Sequence, residues 1–315
     1  MKFGMEQIDG MVENLLEEKL PYSHSVIVGD NSSGKSLLLK NFITKVEKSS
    51  RVYFIDAVNR NFDVKKISKL EKKPEYKATI LETRMRENYF NLIDSFNCFG
   101  TSTERVEMIY RLYEEKVQEL FQKLTTDRFS LINEDVLGEV DFGNGKGLLS
   151  SGYQALIRIL LELLYYEDVV IVKEKAENAW IVIDELDEFL SPKYSARVME
   201  FLKEEFPWAK WIVTTHSCDL VACTFNSNLV ILDYGFCEVL DINDYSSVSE
   251  VQIVFDRLFE KGNLFENEIE STLRRLFNNK ISNAWGKDEE ESLEKIQKEQ
   301  LSASQKLILR QIQEW

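Results

Sequence analysis

The 315-residue chain is short of positive charge: 39 Lys and Arg stand against 54 Asp and Glu, a formal net charge of −15. That balance excludes a protein gripping nucleic acid or an anionic membrane over most of its surface, because such binding draws on a surplus of cations that displaces condensed counterions. Histidine is scarcer still, with only His24 and His216. Four cysteines, Cys98, Cys218, Cys223 and Cys237, form neither CxxC pairs nor a dense disulfide framework and read as structural thiols. Cys218 and Cys223 near His216 have the wrong spacing for a structural zinc site. With 13 Gly and 4 Pro the chain falls outside the collagen-like and low-complexity classes. No apolar run approaches the roughly 20 residues that span a bilayer. The stretch MKFGMEQIDGMVENLLEEKL carries acids where a secretory signal has a basic start. The expectation is a soluble, cytoplasmic protein without membrane contact.

What is present is core-forming material, 44% hydrophobic and 11% aromatic residues, enough for one large domain or two ordinary ones. Residues 5 to 18 have a helical pattern, Met5, Ile8, Met11, Val12, Leu15 and Leu16, which Pro21 interrupts. Ser25 to Val28 reads as a strand, Leu37 to Val46 as a helix and Arg51 to Ile55 as a second buried strand, which makes a βαβ unit. Sheet character returns at Trp180 to Ile183, Trp211 to Thr214 and Leu229 to Leu232, with a helix over Ser195 to Glu205. Between them, residues 61 to 139 read as an inserted helical lobe, with Ile109, Leu112, Val117, Leu120, Phe121 and Leu124 on one face. The first part of that region, 60 to 87, holds nine cations (Arg60, Lys65, Lys66, Lys69, Lys72, Lys73, Lys77, Arg84 and Arg86) against five acids. It reads as a solvated helix surface or as a docking patch for nucleic acid or an acidic partner.

Four motifs carry chemistry. Gly29-Asp30-Asn31-Ser32-Ser33-Gly34-Lys35-Ser36 follows a strand and opens a helix at Leu37, the context in which G-x-x-x-x-G-K-[ST] cradles phosphates. Backbone amides and the helix N-terminus would face the β-phosphate, Lys35 would reach the β- and γ-phosphates, and the Ser36 hydroxyl would ligate Mg²⁺. Trp180 to Ile183 ends in Asp184 and Glu185. Asp184 would hold the metal through water and Glu185 would orient and deprotonate the attacking water. Leu148-Leu149-Ser150-Ser151-Gly152-Tyr153-Gln154 starts a second helix with small residues, an anion site suited to the γ-phosphate of a nucleotide on another subunit. Finally, Thr214-Thr215-His216-Ser217 ends a strand on one of the two histidines.

Taken in order, GDNSSGKS, LLSSGYQ, WIVIDE and TTHS resemble the ABC-type ATPases, in the soluble branch that includes SMC-like, RecF-like and overcoming-lysogenization-defect-like members. The resemblance anchors residues 22 to 60 and 140 to 235. It implies an α/β P-loop NTPase fold: an ABC-ATPase-like head with a mainly parallel sheet, its core formed by 1–60 and 140–245. The lobe over 61–139 would be an insertion and 246–315 a helical C-terminal extension. It implies ATP and Mg²⁺ as cofactors, Ser150 as the γ-phosphate contact with Ser151 and Gly152 as its tight-turn residues, Ser191 and Pro192 on the D-loop, and His216 as the switch histidine. Lys35, Glu185 and His216 would be the catalytic set. Because two heads of this family sandwich two ATP molecules, it also implies a homodimer.

This chain departs from the family in three places. The short segment before the phosphate loop leaves Phe3 and Tyr22 as candidates for stacking on adenine. No glutamine follows RVYFIDAVNRNF, so Asn59 or Asn61 stands where the Q-loop residue belongs. The interval from Ser150 to Asp184 is lengthened by YYEDVVIVKEKAENA. Compact heads of this branch act as sensors or regulatory cores of defence or genome-maintenance systems in prokaryotes. The roughly 70 residues after the last strand leave no room for a Toprim nuclease and the two histidines nothing for an HNH centre, so a separate effector protein is expected. The alternatives are a DNA-repair clamp of RecF or SMC type, using the 60 to 87 stretch, and the nucleotide-binding subunit of a transporter.

Overall fold

The computed structural model describes residues 2–67, 74–96, 105–132, 137–233, 236–245 and 247–259, together with 272–273, 275–276, 279–280, 285–298, 309–310 and 312–313. Cys98, Lys69, Lys72, Lys73 and the Phe3 side chain lie outside the described residues. The chain divides into two units, Met1–Phe259 and Glu260–Trp315.

The larger unit is built on six strands: β1 (Ser25–Gly29), β2 (Val52–Ile55), β6 (Ala179–Ile183), β7 (Ala209–Thr214), β8 (Asn228–Asp233) and β9 (Phe236–Asp241). Their order in the sheet is β2-β6-β7-β1-β8-β9. All neighbours run parallel except β8 and β9, which form an antiparallel pair with Leu232 opposite Cys237. Three two-residue strands, β3 (Ser130–Leu131), β4 (Val140–Asp141) and β5 (Lys146–Gly147), make a separate antiparallel sheet.

Strands β1, β2, β6 and β7 are apolar runs because both faces of the parallel sheet are covered by helices. The period of two sends Ile27, Val52, Phe54, Val182 and Ile212 to one face. There they meet α1 (Lys2–Leu16) and α2 (Lys35–Lys45) through Ile8, Met11, Val12, Leu15, Leu38, Leu39 and Phe42. Val26, Val28, Tyr53, Ile55, Ile181, Ile183, Trp211 and Val213 point the other way. They pack on α4 (Tyr110–Thr125), α5 (Ser151–Tyr166), α6 (Pro192–Glu205) and α7 (Cys218–Ala222). A short α3 (Thr79–Arg84) lies in the same unit, and α8 (Val248–Phe259) packs on α7.

The 61 to 139 region contributes Phe62, Phe96, Tyr110, Val117, Leu120, Phe121 and Leu124 to the same core as the strands. The buried stripe of α4 departs from the expected one at a single place: Leu112 is exposed, and Tyr110 takes the inward position, because a helix turning 100° per residue cannot put 109, 110 and 112 on one face. α5 continues into a π-helical turn at Glu167–Val172, which absorbs part of the lengthened interval before β6. In the smaller unit, α9 (Lys287–Ile296) starts on Asp288, Glu289 and Glu290 and ends on Lys295, charges that complement its dipole. Leu273, Leu276, Ile296 and Ile312 form its buried cluster. No described helix is long and apolar enough to cross a membrane.

Candidate nucleotide-binding site

Parallel strands all end at one edge of the sheet, so three chain segments distant in sequence converge at the C-terminal ends of β1, β6 and β7. After β1 the loop Asp30 to Gly34 turns through two left-handed residues, Ser32 at φ 66° and Gly34 at φ 109°. At Gly34 a side chain would meet both that backbone conformation and the Ile8 Cδ1 atom of α1, 2.8 Å from its Cβ position. No side chain caps α2 at Gly34, which leaves the first-turn amides of Lys35, Ser36 and Leu37 facing outward as donors. The Ser33 hydroxyl is buried and lacks a hydrogen-bond partner among the described residues. Uncapped amides, an orphaned hydroxyl and a buried ammonium fit a phosphate chain.

Lys35 lies deep in this loop. Its Nζ donates to the carbonyls of Gly29 (2.7 Å) and Asp30 (3.2 Å) and meets His216 Nε2 at 3.1 Å. With the ammonium as donor, the imidazole accepts at Nε2 and carries its proton on Nδ1. Burial pushes Lys35 below the usual lysine range, with Glu185 and Asp184 working against that shift. Burial and then the Lys35 charge hold His216 below the usual histidine range. The Glu185 carboxylate stands 3.8 Å from His216 Nε2; burial, then Asp184 and Glu188, raise its pKa above the normal carboxyl range. Glu185 itself has φ 53°, a left-handed backbone that a glutamate adopts only under constraint.

Thr214 ties β7 to the carboxylates. Its hydroxyl donates to Asp184 Oδ1 at 2.7 Å and accepts the Glu185 N–H at 2.7 Å. Asn91, on a 3₁₀ turn over Phe90–Leu92, completes the cluster. Its Nδ2 lies 3.0 Å from Asp184 Oδ2 and 3.4 Å from Ser36 Oγ, bridging the two groups expected to hold the metal. One serine and one carboxylate, with phosphates and waters, suit Mg²⁺. Among the described residues no three His, Cys, Asp or Glu side chains are arranged so that they could hold a metal ion by themselves, and a site of this kind does not require that.

The structure thus gathers Lys35, Ser36, Asp184, Glu185 and His216 in one place. Ser150 spends its hydroxyl on the Tyr153 N–H at 3.2 Å as the cap of α5. Gly152 packs against the segment between β6 and α6, a Cβ there falling 2.9 Å from the Phe189 carbonyl oxygen. Ser191 and Pro192 begin α6.

Three sequence expectations change. The Asn59 amide is engaged with Asp56 and the Leu92 carbonyl, the Asn61 main-chain carbonyl takes an Arg158 N–H, and the amide that stands against Ser36 and Asp184 is that of Asn91. Tyr22 bonds Asp241 and Asn228 beside the start of β1, at the far end of the strand from the phosphate loop, and cannot reach a base there. Of the cations in 60 to 87, Arg60 and Arg84 are buried, Arg84 donating to the carbonyls of Phe90 and Ile93. Neither can meet an external partner.

A phosphate loop after β1, a mainly parallel sheet and, one strand beyond β7, a strand tipped by two carboxylates define a P-loop nucleotide-binding domain. The chain belongs to the family described as "AAA domain, putative AbiEii toxin, Type IV TA system", which matches residues 44–222. It is 31% identical over 168 residues to Septu protein PtuA of Bacillus thuringiensis, a match covering 51% of this chain and 37% of that protein. It is 26% identical over 110 residues to Septu protein PtuA of Bacillus mycoides (strain KBAB4), 32% of this chain and 15% of that one. The chain spans little more than a third, or less, of the curated relatives it matches. Among solved structures it is similar to the SMC head domain from Thermotoga maritima, with 20% identity, 43% of this chain and 49% of that one covered, and a TM-score of 0.31. A dimeric ATP-binding cassette in a post-hydrolysis state, bound to ADP and Pi, matches at 15% identity over 70% and 86% of the two chains, with a TM-score of 0.36.

Proposed function

We propose that the chain binds ATP with Mg²⁺ and hydrolyses it as an ABC-type head that dimerises around two nucleotides. The observation that carries this reading is the convergence of Lys35, Glu185 and His216 at one sheet edge, with Asn91 bridging Ser36 and Asp184. Mg²⁺, when bound, neutralises the β- and γ-oxygens during phosphoryl transfer. Ser36 and Asp184 hold it, and Asn91 orients both. Lys35 exchanges His216 for phosphate oxygens and balances their charge. Glu185, its pKa raised toward neutrality, accepts the proton of the attacking water. His216, once Lys35 turns to phosphate and the ring proton moves from Nδ1 to Nε2, donates toward the γ-phosphate. Ser150 and the α5 N-terminus serve the nucleotide of the second copy.

The biological role we assign is that of a sensor or regulatory core in a prokaryotic defence system, acting through a separate effector protein. The toxin-system description of the family and the relatives named Septu protein PtuA favour it over a transporter subunit. The test is phosphate release from Mg²⁺-ATP together with light scattering. A nucleotide-dependent dimer with turnover, both lost in Lys35→Ala, is expected; a chain that stays monomeric and inert with Mg²⁺-ATP refutes the reading.

A further inference from the structure

The loop after β2, residues 56 to 62, carries a buried arginine that the chemistry above leaves unused. Arg60 is 1% exposed. Its Nη2 donates to the main-chain carbonyls of Asp184 at 3.0 Å and Glu185 at 3.5 Å. Its Nε and Nη1 have no hydrogen-bond partner among the described residues. Burying a cation with unmatched donors is costly, and an apolar side chain of similar volume would fill the space without that cost. Packing alone therefore does not account for an arginine here. Asp56, Glu162 and Asp184 attract its charge and Arg158 opposes it.

The two carbonyls it grips are significant. The Asp184 oxygen belongs to the peptide plane before the Glu185 Cα, and the Glu185 oxygen to the plane after it. One guanidinium thus pins both planes around a residue at φ 53°, a conformation that persists only where its surroundings impose it. The arginine loop is itself anchored. Asp56 accepts N–H groups from Val58, Asn59 and Ser95. Arg158 of α5 donates to the Asn61 carbonyl at 3.3 Å, and the Phe62 N–H reaches Gln154 Oε1 at 3.3 Å.

We propose that Arg60 is the positioning residue for the Asp184–Glu185 pair: it holds the peptide planes on both sides of Glu185, so that the Asp184 carboxylate faces Asn91 and the Glu185 carboxylate faces His216. This rests on the nucleotide-hydrolysing reading above. Arg60 touches no part of the phosphate loop in the contacts described, so its removal should leave nucleotide capture intact while misdirecting the carboxylates.

The test compares Arg60→Met, which keeps length without charge or donors, with Arg60→Lys, which keeps the charge and one donor. Turnover of Mg²⁺-ATP is measured beside Mn²⁺ binding to the ADP-loaded protein by electron paramagnetic resonance. In Arg60→Met, KM should stay within about threefold while kcat falls about tenfold or more, and Mn²⁺ affinity should drop about tenfold; Arg60→Lys should recover most of both. Wild-type kcat and Mn²⁺ affinity in Arg60→Met overturn the proposal. So does a joint loss of nucleotide affinity, kcat and thermal midpoint that Arg60→Lys does not relieve, the pattern of a packing role alone. If the wild-type chain binds nucleotide but does not turn it over, the function proposed above falls and the Mn²⁺ comparison still decides the role of Arg60. If Arg60→Met does not fold, Arg60→Gln takes its place beside Arg60→Lys: kcat and Mn²⁺ affinity lower in Arg60→Gln than in Arg60→Lys at unchanged KM support the proposal, and equal values in the two overturn it.

Discussion

Replacing Glu185 by glutamine should make the fold more stable and the protein catalytically silent, two effects of opposite sign from one atom exchange. The Glu185 carboxylate is half-buried, and after desolvation the neighbouring Asp184 and Glu188 charges do most to disfavour its ionised form, with Lys35 offsetting part. Glutamine keeps the shape and removes the charge. Discounted for solvent screening at a half-exposed site, the relief is roughly 0.5–1 kcal/mol, a rise of about 1–3 °C in the thermal midpoint of a domain this size. On the proposed function, the same exchange removes the group that would accept the proton from water, a loss of about 10²–10⁴ in turnover, or roughly 3–5 kcal/mol in the barrier. Lys35 and the uncapped α2 amides are untouched, so nucleotide binding persists and the ATP-bound dimer accumulates. Differential scanning fluorimetry without nucleotide, phosphate release and light scattering with Mg²⁺-ATP read the three consequences. A midpoint that falls, or turnover within about threefold of wild type, would refute the reasoning.

Asn91→Ala removes the amide that bridges Ser36 and Asp184, and the Mg²⁺ concentration needed for half-maximal turnover should rise about tenfold; an unchanged Mg²⁺ titration would remove Asn91 from the metal side. Gly152→Ala places a methyl 2.9 Å from the Phe189 carbonyl, which must displace the start of α5. Turnover should fall about tenfold while single-chain nucleotide affinity stays put, measured as kcat beside equilibrium binding. His24 accepts the Trp211 N–H at Nδ1 (3.3 Å), and burial pushes its pKa down to about 4. Between pH 6.5 and 4 the unfolded chain therefore binds a proton that the folded chain refuses. Stability should fall as pH drops through that window, by about 1–2 kcal/mol once partial exposure is discounted. Denaturant melts at pH 7 and 4.5 check this, and His24→Gln should flatten the dependence.

The phosphate loop and the carboxylates at the end of β6 were legible because their signals are local. Gly34 must take φ 109° whatever surrounds it, and a strand covered on both faces must be an apolar run such as WIVI. The elements themselves follow for the same reason, with ends that shift by one to three residues: α2 starts at Lys35 rather than Leu37, α6 at Pro192 rather than Ser195 and β7 at Ala209 rather than Trp211. Arg60 and Arg84 misled as part of a basic surface, since charge counted along the chain carries no information about burial. Tyr22 is near the phosphate loop in sequence, yet an extended β1 carries the two to opposite edges of the sheet. Nothing beside Asn91 marks it as a site residue in the chain, Arg60 stood only in a run of cations, and Thr214 only as part of the motif that ends on His216 and Ser217.

The sequence by itself determined the groups on offer, a glycine-bounded loop ahead of a helix, a hydroxyl at that helix's first turn and a pair of acids at a strand end, because each depends on backbone and neighbours within a few residues. Only the tertiary structure decided which groups stand together. The strand order β2-β6-β7-β1 brings the loop after β2 against the end of β6, and Thr214 of β7 between the two acids and the phosphate loop. That order is a property of how two buried faces pack over the whole domain, a sum of non-local contacts that no short stretch of residues encodes.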